Sequence, residues 1–266
     1  MRLTLILLLF SPLPALAKLE VRNVQPAHGL LGPARTSDDV FPLDEYFVRF
    51  QVAGVKPDKD GKTDLEVAVR LTNPDGKAVL DSKGSVQRPM TLGGDLFQTF
   101  ARVTFPEKEK APPGEYKLSV VVRDKVAAES ASFERKLNYK APVFQVLVPR
   151  FFHDADGKEP AGTTLFVGDS LHYQFKVVGY DKSQKKVGLV MKAEILDAEG
   201  KDVGAKPLTV KGDITDPVKA VESRQATFSG TAYLHRPGEF KLKITVEDTV
   251  AKKTTSFETP IKVMAP

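Results

Sequence analysis

The sequence contains no cysteine and no tryptophan, and only six tyrosines among its 266 residues. Without cysteine, disulfides, thiol nucleophiles and cysteine-ligated metal centres are excluded, so each hydrophobic core must be stable by packing alone. The scarcity of tryptophan and tyrosine weighs against a sugar-binding surface built on exposed aromatic rings. Beyond the first ten residues no long apolar run occurs, which predicts that the mature chain has no transmembrane segment.

The first 17 residues have the pattern of a cleaved export signal. Arg2 supplies a positive start, residues 3–10 (LTLILLLF) are apolar, and Ala15-Leu16-Ala17 fits a small-residue cleavage site. Eight apolar residues are too few to span a bilayer. We therefore expect a mature chain that starts at Lys18 and is exported to the periplasm, the cell surface or the medium.

The charge of the chain is modestly basic and evenly mixed. There are 39 Lys and Arg against 34 Asp and Glu, a net charge of +5. The longest basic runs are pairs such as Lys185-Lys186, and acidic residues lie among them. This pattern predicts a solvated mixed-charge surface and no nucleic-acid partner, because nucleic-acid binding needs a concentrated basic patch.

One stretch occurs twice. Residues 113–124 (PGEYKLSVVVRD) return as residues 237–248 (PGEFKLKITVED), 124 positions later. Further upstream the offset becomes 125, as in the pairs His28/His153 and Asp44/Asp169. A single long period indicates a duplicated domain and not a solenoid. We expect one domain over residues 18–140 and another over 141–266.

The alternation of apolar and polar residues predicts strands throughout and no helix. In the repeat, Tyr116, Leu118, Val120 and Val122 should face inward. Strands are expected at 19–26, 45–54, 65–72, 78–80, 96–105, about 116–124 and 131–139. The second domain should have them at 143–148, 170–179, 187–196, 203–210, 225–234, 239–247 and 255–263. The predicted fold class is all-β, with two tandem antiparallel β-sandwiches.

The Pro-Gly-Glu-Tyr-x-Leu strand of the repeat resembles the sixth-strand region of immunoglobulin-like and fibronectin type III-like sandwiches, which recur in exported bacterial proteins. This resemblance implies the fold and no activity. It also implies a tyrosine corner, in which the hydroxyl of Tyr116 would bond the backbone upstream. Phe240 has no hydroxyl and cannot form this bond. The lack of tryptophan and of a cysteine pair excludes antibody-type domains.

Histidines and acidic loops are the candidates for metal binding. His28 and His153 occupy matching positions, and we expect a structural hydrogen-bonding role for both. Residues 58–64 (DKDGKTD) and 154–159 (DADGKE) superficially resemble calcium loops, but their glycine is at position 4 instead of 6. We predict turns there and no metal residues, with weak calcium binding left open.

No catalytic or cofactor-binding residues are predicted. Ser170 and His172 lie two apart on one strand without a Gly-x-Ser-x-Gly elbow. Among the apolar residues, Phe47 and Val121 are expected to face outward. The pair Phe151-Phe152 is expected to pack against the neighbouring domain, with partner binding as the alternative.

The function expected from these observations is that of an exported, non-enzymatic tandem β-sandwich protein acting through its surfaces, in adhesion, scaffolding or as an accessory module. Its partner would be a protein or a cell-envelope component, with no cofactor. A ligand-binding module for glycan or peptide is the alternative hypothesis, and an enzyme is a remote third.

Overall fold

The computed structural model describes residues 18–90, 96–105, 111–204, 208–214 and 216–265. Of residues 148, 208, 213 and 217 it describes only the backbone. The export signal predicted at residues 1–17 lies outside these ranges. No helix within them is long and apolar enough to cross a lipid bilayer.

The regular secondary structure of the described chain is almost entirely β-strand, as predicted. The N-terminal half contains β1 (Glu20–Ala27), β2 (Asp39–Val40), β3 (Glu45–Ala53), β4 (Lys62–Thr72), β5 (Ala78–Pro89), β6 (Phe97–Thr104), β7 (Gly114–Asp124) and β8 (Glu129–Tyr139). The C-terminal half contains β9 (Gln145–Phe152), β10 (Thr164–Phe166), β11 (Ser170–Val178), β12 (Val187–Leu196), β13 (Leu208–Ile214), α1 (Pro217–Glu222), β14 (Gln225–Tyr233), β15 (Gly238–Asp248) and β16 (Lys253–Met264).

The two halves have the same sheet topology. The N-terminal half has a three-stranded sheet, β1-β3-β6, and a five-stranded sheet, β2-β8-β7-β4-β5. The C-terminal half has the sheets β14-β11-β9 and β10-β16-β15-β12-β13 in the corresponding order. Neighbouring strands are antiparallel, except that the short β2 and β10 run parallel to β8 and β16.

Each half has a hydrophobic core of its own, to which both of its sheets contribute. The inward prediction for the repeat is confirmed, because Tyr116, Leu118, Val120 and Val122 are fully buried. Phe50 of the smaller sheet meets Phe133 of the larger sheet with ring centroids 5.1 Å apart. Burial of these side chains is the main stabilising contribution, at roughly 25 cal/mol per Å² of apolar surface.

The last residue of each repeat copy has a structural role that the sequence pattern did not reveal. Asp124 is buried and accepts hydrogen bonds from the amides of Lys56, Val126 and Ala127, at 2.8, 2.9 and 3.1 Å. Asp248 accepts three equivalent bonds in the C-terminal half. Each carboxylate thus fixes the turn after its strand and joins it to a distant loop.

Several predicted elements differ from the structure. The strand predicted at 78–80 continues to Pro89 as β5, because an edge strand exposed on both faces shows no apolar alternation. The short strands β2 and β10 were missed, and the strand predicted at 203–210 is β13, which starts at Leu208. The expectation of no helix is wrong at α1, where Asp216 caps the amides of Val218 and Lys219.

Phe47 lies outside the N-terminal core, on the face of β3 opposite Tyr46 and Val48, whereas the placement predicted for Phe151 is wrong. Phe47 is buried, with its ring 6.1 Å from that of Phe100 on the paired strand β6. Phe151 belongs to the core of its own half instead of packing against the other one. Phe152 is half-buried beside Gly157, whereas Val121 is exposed as expected.

Candidate binding cleft between the two halves

A cleft of about 310 Å³ lies where the two halves meet. The N-terminal half contributes the loop between β1 and β2, one residue of β2 and the turn between β2 and β3. The C-terminal half contributes the start of β9 and one residue of β16. The lining residues are His28, Arg35, Thr36, Ser37, Asp39, Phe41, Asp44, Gln145, Val146, Leu147 and Phe257.

The loop after β1 brings His28 and Arg35 to the cleft by folding back on itself. The amide of His28 donates to Pro33 O at 2.8 Å, and the amide of Arg35 donates to Pro26 O at 3.0 Å. Gly32 permits this closure, since a Cβ at that position would lie 1.7 Å from His28 O. The glycine is therefore required by the close approach of the two backbone segments.

A buried ion pair forms the floor of the cleft on the N-terminal side. The Arg35 and Asp44 side chains are 7% and 1% exposed, and Arg35 Nη2 lies 2.9 Å from Asp44 Oδ2. The same nitrogen donates to Asp39 O at 2.8 Å. Burial raises the pKa of Asp44, and the charge and hydrogen bonds of Arg35 oppose that rise. The stability of the fold requires both partners of this pair, because removing one would leave the other charge buried with neither a counter-ion nor water.

Three buried polar atoms in this cleft have no hydrogen-bond partner. Among the residues that the structure describes, five such side-chain atoms occur, and three of them are His28 Nδ1, Arg35 Nε and Gln145 Nε2. Buried polar atoms are normally paired, and an unpaired one costs about 1–3 kcal/mol. Arg35 and Gln145 can only donate through these nitrogens. The residues that form the wall of the cleft thus contain two buried donors without an acceptor.

His28 is uncharged at neutral pH in this environment. Burial, reinforced by the positive charge of Arg35, lowers the pKa of His28 from 6.5 to about 4. Its ring meets that of Phe257 edge-on, with centroids 5.6 Å apart and the planes at 83°. This contact joins the β1–β2 loop to β16 of the other half. A neutral imidazole can donate or accept a hydrogen bond through Nδ1, depending on its tautomer.

Further contacts between the halves surround the cleft. Arg150 on β9 forms an ion pair with Glu45 at the start of β3. Leu147 lines both the cleft and a smaller hollow beside this ion pair. The carbonyl of Leu31 closely approaches Gly162, where a Cβ would lie 3.4 Å away. Contacts between the two halves therefore fix the position of the cleft walls relative to each other.

The predicted role of the matching histidines is not what the structure shows at His28. Its ring Nδ1 has no hydrogen-bond partner, so the expected structural bond is absent there. His153 is exposed, and its amide donates to Glu159 O at 2.8 Å. Sequence analysis singled out His28 but missed Arg35 and Gln145. Arg35 and Gln145 line the same cleft only because the two halves pack against each other. No local sequence pattern indicates this packing.

The two acidic loops are turns, as predicted. Asp58 accepts hydrogen bonds from the amides of Asp60 and Lys62 at 2.9 and 2.8 Å. Asp154 accepts from the amides of Lys158 and Glu159. These carboxylates are used to close their own loops. In the described part of the chain, no group of three or more His, Cys, Asp or Glu is arranged to hold a metal ion.

Ser170 and His172 lie on β11, where the His172 ring is paired with another residue. His172 Nδ1 is 2.9 Å from Thr231 Oγ1, directly across the β11–β14 pair. Ser170 is opposite Tyr233 on the same pair of strands. The hydrogen bond to Thr231 gives His172 a cross-strand role.

Comparisons with known proteins identify no family for this chain. No family model matches it, and no curated protein matches it. Among solved structures it is similar to red sea bream transglutaminase, with 12% identity and a TM-score of 0.30, over 94% of this chain and 31% of that one. It is also similar to the Pseudomonas fluorescens alkylpurine DNA glycosylase AlkC bound to DNA, with 11% identity and a TM-score of 0.32. That match covers 47% of this chain and 31% of the glycosylase. The chain thus spans about a third of the length of either structure.

Proposed function

We propose that this protein is an exported, non-enzymatic tandem β-sandwich that binds a protein or cell-envelope component through the cleft between its two halves. The three unpaired polar atoms in that cleft carry the proposal. Two of them are obligate donors just inside the cleft wall, and a partner that presents backbone carbonyls or carboxylates would pair with them by shifting the side chains of this wall. A donor that is unpaired in the free protein gains most when a partner supplies the acceptor.

The immunoglobulin-like architecture belongs to this proposal. In each half the sheet order places the first, third and sixth strands together, and the second strand runs parallel to the last. This order supports an immunoglobulin-like or fibronectin type III-like module, as does the bond from Tyr116 Oη to Pro112 O at 3.0 Å. Such modules characteristically act as binding scaffolds, although the fold alone assigns no partner.

We place the domains at residues 18–140 and 141–266. The separate cores support this division, since each contains residues of one half only. Fragments with these boundaries should both unfold cooperatively and give β-type circular dichroism. A soluble but unfolded 18–140 fragment would contradict independent folding and would indicate that the two halves form one obligate unit.

Export is proposed from residues 2–17 of the sequence. Intact-mass measurement on the secreted or periplasmic fraction should find a chain that begins at Lys18. A chain that stays in the cytoplasm and begins at Met1 would contradict this part of the proposal.

Site-specific photo-crosslinking tests the binding function. A benzophenone side chain at Thr36, which is exposed at the cleft, should capture a defined partner from cell-envelope extract. The same group at the exposed Lys83, on the distant edge strand β5, is the control and should capture nothing in common with it.

A donor-removing variant makes the test specific to the cleft. Gln145→Met keeps the length of the side chain and removes the unpaired donor, so crosslinking at Thr36 should fall about tenfold. Gln98→Met, at an exposed site on β6, is the matched control and should not change crosslinking. If both variants crosslink like the wild type, the cleft is not the binding site. If the captured material is a glycan, the alternative hypothesis of a glycan-binding module replaces the protein partner.

A further inference from the structure

An aromatic cluster fills one end of the N-terminal half. Phe105, Tyr116 and Tyr139 are each at most 2% exposed. Their ring centroids lie 5.4 to 5.9 Å apart, and Phe105 stacks on Tyr139. Three large buried rings thus pack against one another at this end of the core.

The matching positions of the C-terminal half carry smaller side chains. The amide of Phe105 donates to Asp44 O, and the amide of Leu234 makes the same bond to Asp169 O. Tyr139 is opposite the glycine that starts β7, and Val263 is opposite the glycine that starts β15. Phe240 takes the place of Tyr116. Two rings and two hydroxyls are therefore missing from this end.

The missing rings leave an apolar cleft of about 160 Å³. Its volume is close to that of an engineered cavity that holds benzene, roughly 150 Å³. The apolar lining consists of Ile195, Val203, Leu234, Phe240 and Val263. The N-terminal half fills the equivalent space with its own aromatic rings, so the shape of the C-terminal cleft suits an added ring.

The residues at the rim of this cleft add an exposed aromatic ring and a positive charge. Tyr233 is 68% exposed, and its ring stacks on that of His235 at 6.4 Å and 14°. The guanidinium carbon of Arg236 lies 5.4 Å from the centroid of the Phe240 ring, which keeps the charge beside the apolar lining. In the ranges that the structure describes, Arg236 forms no ion pair.

We infer that this cleft binds a small aromatic carboxylate, with the ring in the apolar cleft and the carboxylate on Arg236. The shape of the cleft fits the ring, and the guanidinium of Arg236 binds the carboxylate, since the two groups match in charge and geometry. The site is separate from the cleft between the halves and does not rest on the function proposed for it.

A titration of the mature full-length chain followed by amide NMR tests the inference. The probes are 3-phenylpropionate, the neutral 3-phenylpropanol and the ring-free propionate. The aromatic acid should give saturable shifts around residues 233–240 with a dissociation constant of about 1 mM, as expected for a ligand of this size. The alcohol should bind roughly tenfold more weakly because it has no charge for Arg236. Propionate should not saturate the site.

Three variants separate the ring site from the charge site. Val263→Tyr copies Tyr139 and should fill the cleft and abolish binding, and Leu234→Phe copies Phe105 and serves if the first variant misfolds. Arg236→Gln should reduce the affinity for the acid to that for the alcohol. The exposed Arg123→Gln on β7 is the matched control and should bind like the wild type.

The inference is overturned if the aromatic acid gives no saturation at tens of millimolar. It is also overturned if the acid binds equally well to a folded cleft-filling variant, or if Arg236→Gln leaves the preference for acid over alcohol unchanged.

Discussion

The two halves of this protein share their scaffold and differ at the ends of their sandwiches. Both use a buried aspartate, Asp124 or Asp248, to hold three backbone amides, and both close a turn through Asn73 or Asp197. The N-terminal half adds a buried ion pair and a closed aromatic cluster. The C-terminal half has an open cleft where the cluster would be. The two halves thus share the residues that fix strands and turns and differ in how the ends of their sandwiches are filled.

Breaking the ion pair of the N-terminal half is expected to give the largest change in the free energy of unfolding. Arg35→Leu leaves Asp44 buried without its partner and should lower the free energy of unfolding by about 4 kcal/mol. The exposed pair of Lys117 and Glu134, 3.1 Å apart, is the control, and Lys117→Ala should change the free energy of unfolding far less. Urea denaturation of the mature chain measures both. Equal losses in the two variants would show that burial of the pair is not important.

Exchanging Tyr139 and Val263, which occupy matching positions, tests whether the two halves differ in packing at this end of the sandwich. Tyr139→Val removes a buried ring and should destabilise the N-terminal half by about 3 kcal/mol. The reverse change, Val263→Tyr, should stabilise the C-terminal half by about 1 kcal/mol because it fills a cleft. Amide hydrogen exchange in β7 and β15 reports on each half separately. A loss of stability in both variants would mean that the two ends are not equivalent.

His28 should make the N-terminal half sensitive to acid. Its folded pKa of about 4 is below the unfolded value of 6.5, so its contribution is fully present above pH 6.5 and is lost as the pH falls through 4. We expect a loss on the order of 2 kcal/mol, after allowing for solvent screening at the cleft.

Comparing the wild type with a His28 variant separates the contribution of this histidine from those of its neighbours. The gap in unfolding free energy between the wild type and His28→Gln should change between pH 7 and pH 4, while contributions from Asp44, whose pKa is raised, cancel. The exposed His153→Gln is the control. A gap that is constant with pH would show that His28 titrates normally.

Removing the tyrosine corner is expected to give the smallest change in the free energy of unfolding. Tyr116→Phe removes the bond to Pro112 O and should cost about 1 kcal/mol, the net contribution of one hydrogen bond. Phe240→Tyr should gain nothing comparable. Denaturation midpoints of the two variants measure this, and an unchanged midpoint for Tyr116→Phe would contradict the corner.

The sequence by itself determined the β-class, most strand positions and the inward face of the repeat. These follow from local alternation and turn residues, as at Gly76, whose φ of +79° completes the predicted turn after Asn73. It also determined the equivalence of Tyr116 and Phe240. Where both faces of a strand are exposed, as in β5, that alternation disappears and the prediction was too short.

Only the tertiary structure decided where the two clefts lie. Arg35 and Gln145 are 110 positions apart in the sequence and meet only because one half sits on the other. The C-terminal cleft likewise depends on Leu234 and Val263 being too small for a space that residues of four separate strands enclose. Burial and pairing are properties of the assembled core, so no local sequence pattern can encode them.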